Sequence, residues 1–531
     1  RRDRPGRITY GRRRWRSARH RGQGAAGRVR VLFVPDAEHL DRLREGGVAA
    51  QVEHLVMVRQ QGLRGASDPR LRGLAQLREQ GRAALQADAG LLDRLLGSRR
   101  AHDAAAIVFT AGGGGAPRAL RHSHAALLAA CAALSPHSAP QGRGERLVFQ
   151  PLVHAMERVG GVYAALRHGA VLNFVESPDT VPDNLREVQP DLLAAPPRLW
   201  ERLHDGLQLA MREATPLERR AYAWALSRGR RRDAAREAGR TLSLPQRLAV
   251  ALARTWGLGN VRRMLGLDRL RLGLCAGGPV SPGLLRWYRA LGLDVGQAWA
   301  VGETAGYAAV ADANDPPELC GRPLAGIELR LSDEGELLVR APESTPSPLW
   351  GEGWGEGHAG HNPPPTDRLP TSAAGRLVAQ SRLQLLGRLD ERIRTADGRT
   401  LHPAEVEVQP KSSPYIAEAL VIGDGRAHLS CLLVPDAESL GQWAQERSLP
   451  FSDVRSLARS AEVLALLEAE VTAAGQRAGH AIRGLRLIDP NTDLDEDAVT
   501  PLLRLRRGRV LERQAATLEN LYAVVPAATP A

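Results

Sequence analysis

With 531 residues, of which 43% are apolar and 25% charged, the chain has a globular composition and enough length for two to four domains. This composition excludes a disordered or fibrous protein, and the four widely spaced cysteines form neither the Cys-x-x-Cys pattern of a zinc site nor a disulfide framework. The net charge is +13, but residues 1–30 contain twelve Arg and one Asp, so the other 501 residues carry only about +2.

Residues 1–28 form a basic leader, which we expect to be disordered. An Arg-rich tail can bind RNA or an anionic membrane, whereas a solvated leader or a misassigned start explains the same composition. We do not expect nucleic acid as a partner, and the sequence leaves a peripheral membrane association open. Neither a signal peptide nor a run of about 18 apolar residues is present, so we expect a cytoplasmic protein, at most peripheral at the inner face of the membrane.

From residue 29 the sequence predicts an α/β fold. Short apolar runs predict buried strands, and these are VRVLFV (29–34), LVMV (55–58), AAIVFT (105–110), AVLNFVES (170–177), LRLGLC (270–275) and DVGQAWAV (294–301). Helical segments alternate with them, beginning with DAEHLDRLREGG and its Asp cap. The alternation predicts parallel sheets covered by helices.

The second half of the chain shows a different pattern. IELRLSDEGELLVRAP (327–342) alternates around Asp-Glu-Gly and predicts a β-hairpin. Residues 343–370, with a tandem WGEG and a proline cluster, predict a low-complexity insertion. Beyond it we expect a helical region from Glu405 to Lys411 and the strands AEALVIGDG and AHLSCLLVPD. VPDAE occurs at 34–38 and at 434–438, which we interpret as one strand-to-helix junction with an Asp cap used twice.

The stretch TAGGGGAPR follows a predicted strand with a run of backbone N–H groups, which can surround an anion without side chains. Spacing alone leaves a mobile glycine turn as the alternative. However, FTAGGGGAPRA (109–119), followed by Ser123-His124, resembles the phosphate loop of the adenylate-forming enzymes. Further blocks resemble the long-chain fatty acyl-CoA synthetase branch in the same order along the chain, and these are QPLVHAMERVGGVYAAL (150–166), FVESPDTVPDNLREVQPDLLAAPPRLWERL (174–203), GLCAGGPVSPGLL (273–285), QAWAVGETAG (297–306), GRLDERIRTADGRTLHPAEVE (387–407) and SSPYIAEALVIGDGRAHLSCLLVPD (412–436).

This resemblance implies a fold and an activity. The fold is α/β with an α+β C-terminal part: a large N-terminal domain (29–386) of parallel and mixed sheets layered with helices, whose first subdomain is missing, and a small mobile C-terminal domain (387–531). The implied activity joins a fatty acid to coenzyme A with ATP, through an acyl-adenylate, releasing AMP and pyrophosphate. ATP, Mg²⁺ and coenzyme A are therefore the expected ligands. The catalytic interpretation has an alternative, an inactive relative or fragment that binds acyl or nucleotide ligands without turnover.

The resemblance also implies the residues of the site. The cofactor-binding residues would be Thr110, Gly112, Gly113, Gly114, Gly115, Arg118, Gly277, Gly278, Trp299, Gly302, Thr304 and Arg388. The catalytic residues would be His154, Glu303 and Arg504, with Glu303 also linked to Mg²⁺. Gly277 and Gly278 would lie against adenine, on which Trp299 would stack, while Arg388 would bond the ribose.

Three further features of the family follow. Asp390 would lie at the hinge of the C-terminal domain. Residues 281–287 and the PPRLWERL helix (196–203) would border the acyl tunnel, with simple core packing as the alternative.

The chain departs from the family pattern at side chains that hold the nucleotide. Ala111, Gly113 and Gly114 replace hydroxyl residues, Gly302 replaces a Thr, and Ala373 replaces the Asp that holds the ribose hydroxyls. Each hydrogen bond to a charged group contributes roughly 1.5–3 kcal/mol. The resemblance therefore predicts impaired turnover in a truncated or decaying copy.

The Lys-to-Arg replacements at Arg118, Arg399 and Arg504 are weaker evidence for impaired turnover than the lost hydroxyl groups. The chain contains one lysine, Lys411, against 71 arginines, so a general drift toward Arg accounts for them.

Overall fold

In a computed structural model the described residues are 29–62, 68–110, 118–138, 144–342, 368–451, 454–457, 459–488, 505 and 507–524. They divide into two compact units. The first unit comprises residues 1–105 and 346–366, and the second comprises 106–345 and 367–531. Within these limits, the predicted leader (1–28) and most of the predicted insertion (343–370) lie outside the described residues.

The described part of the first unit is a small parallel sheet with helices. Its strands, in the order β1-β2-β3, are β1 (Val31–Val34), β2 (His54–Met57) and β3 (Leu71–Gly73). Its helices are α1 (Ala37–Glu45), α2 (Leu74–Ala87) and α3 (Leu91–Gly97). The Asp36 side chain accepts a hydrogen bond from the His39 backbone N–H at 3.1 Å, which confirms the predicted cap of α1.

The central element of the second unit is a seven-stranded mixed sheet. In chain order its strands are β6 (Glu145–Val148), β7 (Val171–Phe174), β8 (Leu192–Ala195), β9 (Leu272–Cys275), β10 (Val295–Val301), β11 (Gly306–Val310) and β12 (Arg322–Pro323). Their order in the sheet is β12-β11-β10-β9-β8-β6-β7. The strands from β7 to β10 pair in parallel, and β11 and β12 extend the sheet antiparallel. A separate pair is formed by β4 (Ala104–Thr110) and β5 (Arg118–Ser123).

Helices separate most of the parallel strands of this part of the chain, as the sequence predicts. They are α4 (His124–Ser138), α5 (Ala164–His168), α6 (Val181–Val188), α7 (Pro197–Glu213), α8 (Pro216–Glu237), α9 (Leu244–Leu252), α10 (Leu258–Met264) and α11 (Pro282–Ala290). However, four of them (α7 to α10) follow one another between β8 and β9. Two π-helical segments precede α5 and α10, at Met156–Tyr163 and Ala253–Gly257. The fully buried side chains of Trp200 and Tyr288 lie at the centre of the core between helices and sheet.

A buried ion pair joins neighbouring strands of this sheet. The Arg146 guanidinium donates to Asp191 Oδ1 at 2.6 Å, and their side chains are 2% and 10% exposed. Arg146 also donates to the Ser138 carbonyl, and Asp191 accepts from the Glu145 backbone N–H. Asp191 also pairs with Arg271, whose Nη2 lies 3.4 Å from Asp191 Oδ2, so Asp191 holds two arginines at the start of the sheet. Loss of Asp191 would leave the buried charge of Arg146 without a carboxylate, and these bonds therefore hold the start of β6 to β8.

A second, four-stranded antiparallel sheet follows in the order β13-β14-β15-β16. Its strands are β13 (Glu328–Leu331), β14 (Glu336–Arg340), β15 (Leu369–Val378) and β16 (Arg382–Arg388). The β13–β14 hairpin confirms the alternation of IELRLSDEGELLVRAP. The sheet ends beside residue 387, where the C-terminal domain is predicted to begin, and that boundary stays a prediction.

The remaining described residues form an α+β arrangement. It contains a β17–β18 hairpin and a sheet ordered β19-β20-β21, in which β19 and β20 are antiparallel and β21 is parallel to β20. The strands are β17 (Ile393–Arg394), β18 (Thr400–Leu401), β19 (Ile416–Ile422), β20 (Leu429–Pro435) and β21 (Ile482–Leu487). The helices are α12 (Pro403–Glu407), α13 (Ala437–Glu446), α14 (Val454–Leu457), α15 (Ala461–Arg477) and α16 (Arg507–Val524).

Two predictions made for this part can be compared with the structure. The Asp436 side chain accepts from the Ser439 backbone N–H at 3.0 Å, so both copies of VPDAE are Asp-capped junctions between a strand and a helix. The predicted helix from Glu405 to Lys411 is instead α12 followed by a 3₁₀ turn at Pro410–Ser412. Pro410 ends the α-helix because it has no backbone N–H for the next helical bond.

Among the described helices, none has both the length and the apolar character needed to cross a bilayer.

Candidate functional site

Several of the predicted site residues lie just beyond one edge of the central sheet. The parallel strands β6, β8, β9 and β10 all point the same way, so the segments that follow them leave the sheet at its carboxyl edge. His154 follows β6, Gly277 and Gly278 follow β9, and Glu303 follows β10. This edge is where open α/β sheets bind their ligands.

A rigid turn presents Glu303. Residues Gly302–Thr304 form a 3₁₀ turn directly after β10, and Ala305 then adopts the left-handed conformation with φ of 59°. The Thr304 hydroxyl lies 3.1 Å from the Val301 carbonyl and 3.0 Å from the Gly306 carbonyl, so it bonds within the turn. Glu303 is 7% exposed. Its carboxylate therefore has a fixed position at the strand end.

His122 joins this turn to the strand that follows the glycine run. Its Nε2 donates to the Gly302 carbonyl oxygen at 2.8 Å, and the ring is buried. Burial lowers the pKa of His122, against the opposing effect of the hydrogen bond to Gly302 and with a smaller lowering by the charge of nearby Arg158. Sequence reasoning missed this residue, although a histidine in a strand beside the matched Ser-His pair was a usable signal.

The Ser123-His124 pair, which contributes to the resemblance, has a local structural role. Ser123 Oγ accepts a hydrogen bond from the Ala126 backbone N–H at 3.0 Å and so caps α4. Serine is among the preferred residues at the N-cap of a helix. This serine therefore fixes where the helix begins after β5.

The glycine run itself lies outside the described residues, together with Ala111, Gly112, Gly113, Gly114, Gly115 and Arg504. The backbones of Thr110 and Arg118 are described and stand at the ends of β4 and β5, which pair with each other. The run therefore connects two adjacent strands. Its binding of phosphate stays a prediction, as do the roles of these residues.

His154 ends the turn of residues 151–154 before the first π-helical segment, and its backbone N–H donates to the Pro151 carbonyl at 2.9 Å. One turn further on lies Glu157, a carboxyl group that sequence reasoning missed. It is 4% exposed and accepts from the Gln150 backbone N–H at 3.1 Å. Burial raises the pKa of Glu157 to about 7, against the opposing effect of backbone hydrogen bonds from Gln150 and Phe149.

Two glycines give this segment its close packing. A Cβ added to Gly161 would lie 2.3 Å from Glu157 Oε1, and one added to Gly160 would lie 2.4 Å from the Tyr307 ring. A π-helical turn is frequent at functional sites. The pair of adjacent glycines in MERVGGVY was the available sequence signal for close approach at this position.

The predicted adenine site lies after β9. Gly277 has φ of 95°, a conformation that favours glycine, and the preceding Ala276 N–H donates to the Ala195 carbonyl at 3.1 Å. Trp299 is 6% exposed on β10, opposite Ala309. The ring is thus packed within the protein, and its stacking on adenine stays a prediction.

The predicted ribose site is formed by two paired strands. Ala373 on β15 lies directly opposite Arg388 on β16. Arg388 donates to Asp390 through Nε at 2.9 Å and Nη2 at 3.2 Å. The structure therefore brings together the arginine, the predicted hinge aspartate and the alanine that replaces an acidic residue.

The segments predicted to border an acyl tunnel contact each other. Trp200 and Tyr288 meet edge-to-face with ring centroids 5.0 Å apart, and the Tyr288 hydroxyl donates to the Trp200 carbonyl at 2.6 Å. Trp287 packs on His204 and donates from Nε1 to the Tyr222 hydroxyl at 3.0 Å. These described contacts are those of core packing, and the tunnel stays a prediction.

The residues present fit a magnesium ion that is bound together with a nucleotide. Across the described ranges, no group of three or more His, Cys, Asp or Glu side chains is arranged to hold a metal. In nucleotide sites Mg²⁺ commonly takes one or two carboxylates, with phosphates and waters completing the shell. A single buried carboxylate such as Glu303 suits that arrangement.

The fold is that of the adenylate-forming enzymes, with a large N-terminal and a small C-terminal domain. It aligns with the carboxylic acid reductase A-PCP didomain from Segniliparus rugosus in complex with AMP at a TM-score of 0.61 and 17% identity, covering 93% of this chain and 65% of that one. It aligns with the anthranilate CoA ligase AuaEII in complex with anthranoyl-AMP at 0.58 and 16%, covering 92% and 79%. At these identities the likeness concerns the fold alone.

Models of protein families, compared with this sequence, identify the family to which the chain belongs. The AMP-binding enzyme model matches residues 12–351, and the AMP-binding enzyme C-terminal domain model matches residues 390–462. The chain belongs to the AMP-binding enzyme family.

The names of the curated relatives are more specific than the description of the family. The chain is 27% identical over 439 residues to the putative fatty-acid–CoA ligase fadD11 of Mycobacterium tuberculosis, covering 79% of this chain and 74% of the relative. It is 24% identical to the mouse long-chain-fatty-acid–CoA ligase ACSBG2, covering 81% and 68%.

Proposed function

We propose that the chain is an AMP-forming acyl-CoA ligase that activates long-chain fatty acids with ATP and coenzyme A. The observation that supports this most directly is the hydrogen bond between His122 and the Gly302 carbonyl. It places the strand after the glycine run against the turn that carries Glu303. A phosphate loop and a magnesium carboxylate would then face one reaction centre.

The substrate class comes from the relatives. Those reported above are named as fatty-acid or long-chain-fatty-acid CoA ligases. When bound, Mg²⁺ would neutralise phosphate charge and so help the fatty acid carboxylate approach the nucleotide. The task of this chain's residues would be to hold the ligands: Glu303 would bind the ion, and the backbone after β9 would contact adenine.

A second candidate, a relative that binds ligands without turnover, is favoured by the predicted ribose site. Ala373 offers no acceptor to ribose hydroxyls, and the guanidinium of Arg388 already donates twice to Asp390. Loss of charge-assisted hydrogen bonds weakens nucleotide binding and orientation. Slow turnover is therefore expected even if the chain is a ligase.

The deciding experiment measures pyrophosphate release with ATP and palmitate, followed by palmitoyl-CoA formation when coenzyme A is added. Activity should fall by a factor on the order of 10² in Glu303→Ala, because a positioned electrostatic group is lost. Glu187→Gln, at an exposed carboxylate outside the site, is the matched control.

Three results are informative. Release that is absent from the wild type, while AMP still binds, would support the non-catalytic candidate. Release that persists unchanged in Glu303→Ala would contradict the proposed site. Activity with acetate or benzoate but not palmitate would contradict the long-chain assignment.

A further inference from the structure

A row of leucines on α9 faces solvent. Leu244, Leu248 and Leu252 are 73%, 71% and 54% exposed. Residues four apart on a helix lie on the same face, so the three side chains form one apolar ridge along the helix. A contiguous exposed apolar ridge of this kind is a candidate surface for burial against another apolar phase.

An arginine-lined groove lies beside this ridge. It is a cavity of about 510 Å³ between α8 and the α9 segment, lined by Arg232, Thr241, Leu242, Arg247, Val250, Ala251 and Arg254. At 100° per residue, Arg247, Ala251 and Arg254 lie on the helix face next to the leucines. We call the ridge and the groove together the Leu-Arg surface.

The arginines of the groove repel one another. Burial, followed by the charges of Arg232 and Arg262, lowers the pKa of Arg254, with Asp294 acting in the opposite sense. Within the part of the chain that the structure describes, no carboxylate forms an ion pair with Arg232, Arg247 or Arg254. An anion in the groove would relieve this repulsion, and guanidinium groups match the geometry of phosphate oxygens.

Charge is concentrated in the same segment. Residues 216–254 contain ten arginines and three carboxylates, a net charge of +7, whereas residues 31–531 as a whole carry only about +2. The remainder of that body is therefore slightly acidic. A segment with this excess of positive charge is attracted to an anionic surface rather than to a neutral one.

We propose that the Leu-Arg surface docks the protein on a bilayer that contains anionic phospholipid, with the leucine ridge in the interfacial region and lipid phosphates in the arginine groove. A soluble phosphate compound would need the arginines but not the exposed leucines. A neutral apolar partner would need the leucines but not the charge. Exposed leucines on α9 beside arginines contributed by α8, α9 and the π-helical segment after α9 combine the apolar and the cationic contacts that an anionic bilayer surface offers.

This inference is independent of the proposed ligase activity, and its test is a binding measurement. The full chain is sedimented with phosphatidylcholine vesicles, with and without phosphatidylglycerol. Two double variants are compared with the wild type: Leu244→Gln with Leu248→Gln, and Arg232→Gln with Arg247→Gln. The matched control combines Leu166→Gln, at an exposed leucine of α5, with Arg486→Gln on β21. All chains retain the basic leader, so the attraction of the leader to anionic vesicles is the same in every chain.

The wild type should bind the anionic vesicles, and more weakly as salt rises. Each double variant should lower the partition coefficient by roughly tenfold, the leucine pair through lost insertion and the arginine pair through lost charge. The control should bind like the wild type, and circular dichroism should show all chains folded.

Two outcomes would overturn the proposal. If both double variants bind as the wild type does, the Leu-Arg surface does not contact the bilayer. If only the arginine variant loses binding and glycerol phosphate competes fully with the vesicles, the groove is a site for a soluble phosphate compound instead.

Discussion

Three polar side chains at the carboxyl edge of the central sheet are almost completely buried. His122, Glu157 and Glu303 are 5%, 4% and 7% exposed. His122 bonds a backbone carbonyl and Glu157 accepts backbone N–H groups, each in a neighbouring segment. Because a buried polar group is costly without a partner, these bonds fix the loops relative to one another.

The alanine opposite Arg388 can be tested by restoring an acid. Ala373→Asp should strengthen AMP binding by about tenfold or more, because a carboxylate accepts charge-assisted hydrogen bonds from the ribose hydroxyls. Calorimetric titration with AMP measures the change. Ala379→Asp, at an exposed position on the turn after β15, is the control. An AMP affinity that stays the same in both variants would mean that position 373 does not face the ribose.

The buried carboxyl of Glu157 predicts a dependence of stability on pH. Its pKa rises from 4.5 to about 7 on folding, so the folded state retains the proton longer than the unfolded state does. The stability due to this group is complete below about pH 4.5 and is lost as pH rises to about 7. The loss amounts to about 3 kcal/mol.

Glu157→Gln, which resembles the protonated carboxyl, should remove this contribution. Urea unfolding at pH 5 and pH 7.5 should therefore show a smaller fall in free energy for Glu157→Gln than for the wild type. Glu187→Gln should behave as the wild type does. If the free energy of unfolding changes equally between pH 5 and pH 7.5 in all three chains, Glu157 is ionised or solvated in the folded protein.

At the scale of elements, the helices are held together by close approaches that glycine permits. Gly229 lies on α8 where this helix crosses the end of α11. A Cβ at Gly229 would lie 1.9 Å from the Ala290 carbonyl oxygen. Backbone atoms cannot move aside as the end of a side chain can.

Two helical glycines with opposite surroundings provide a matched test. Gly229→Ala should lower the free energy of unfolding by about 3 kcal/mol, since the two helices must separate. Gly206 on α7 has open space around its would-be Cβ, and Gly206→Ala should raise the free energy of unfolding by about 0.5–1 kcal/mol. Chemical denaturation of both variants measures the contrast. A destabilised Gly206→Ala or a neutral Gly229→Ala would contradict it.

The secondary-structure elements were the part of the fold that the sequence predicted best. The strands beginning near 31, 54, 104, 171, 272 and 295 correspond to the predicted apolar runs, and both Asp caps are observed. These features depend on neighbours within a few residues, which a sequence shows directly. The antiparallel extension by β11 and β12 was not predicted, because strand pairing depends on distant segments.

At the scale of the whole molecule, α7 contacts the region that contains the only lysine. Lys411 pairs with Glu418. Burial raises the pKa of Glu201 on α7 to about 7, while Lys411 lowers it and Glu418 raises it further. The Arg198 Nη2 lies 3.9 Å from Asp436 Oδ2 in the same contact. The Lys411 ammonium thus pairs with Glu418 and also acts on the neighbouring Glu201 through its charge.

Removing that cation should weaken the contact. Lys411→Met should destabilise the protein by about 3 kcal/mol near pH 8, because the carboxylate of Glu418 is left without its partner. Below pH 5 the difference should shrink, since the carboxyl of Glu201, whose pKa is about 7, is then protonated. Thermal unfolding at the two pH values measures this, with Lys411→Arg as the variant that keeps the charge. Equal melting temperatures for Lys411→Met and the wild type at pH 8 would contradict this role of Lys411.

The sequence by itself determined the α/β pattern, the capped junctions and the family, because each depends on local residue order. In the same way the sequence marked Ser123, Glu303 and Arg388 as candidate residues, whose functional roles stay predictions. Only the tertiary structure decided which groups meet. His122 reaches a carbonyl 180 positions away, and Ala373 lies across from Arg388 on a paired strand. Burial sets the ionisation of Glu157, and burial is produced by segments that pack from elsewhere in the chain. For the same reason the Leu-Arg surface became visible only once the helices were assembled.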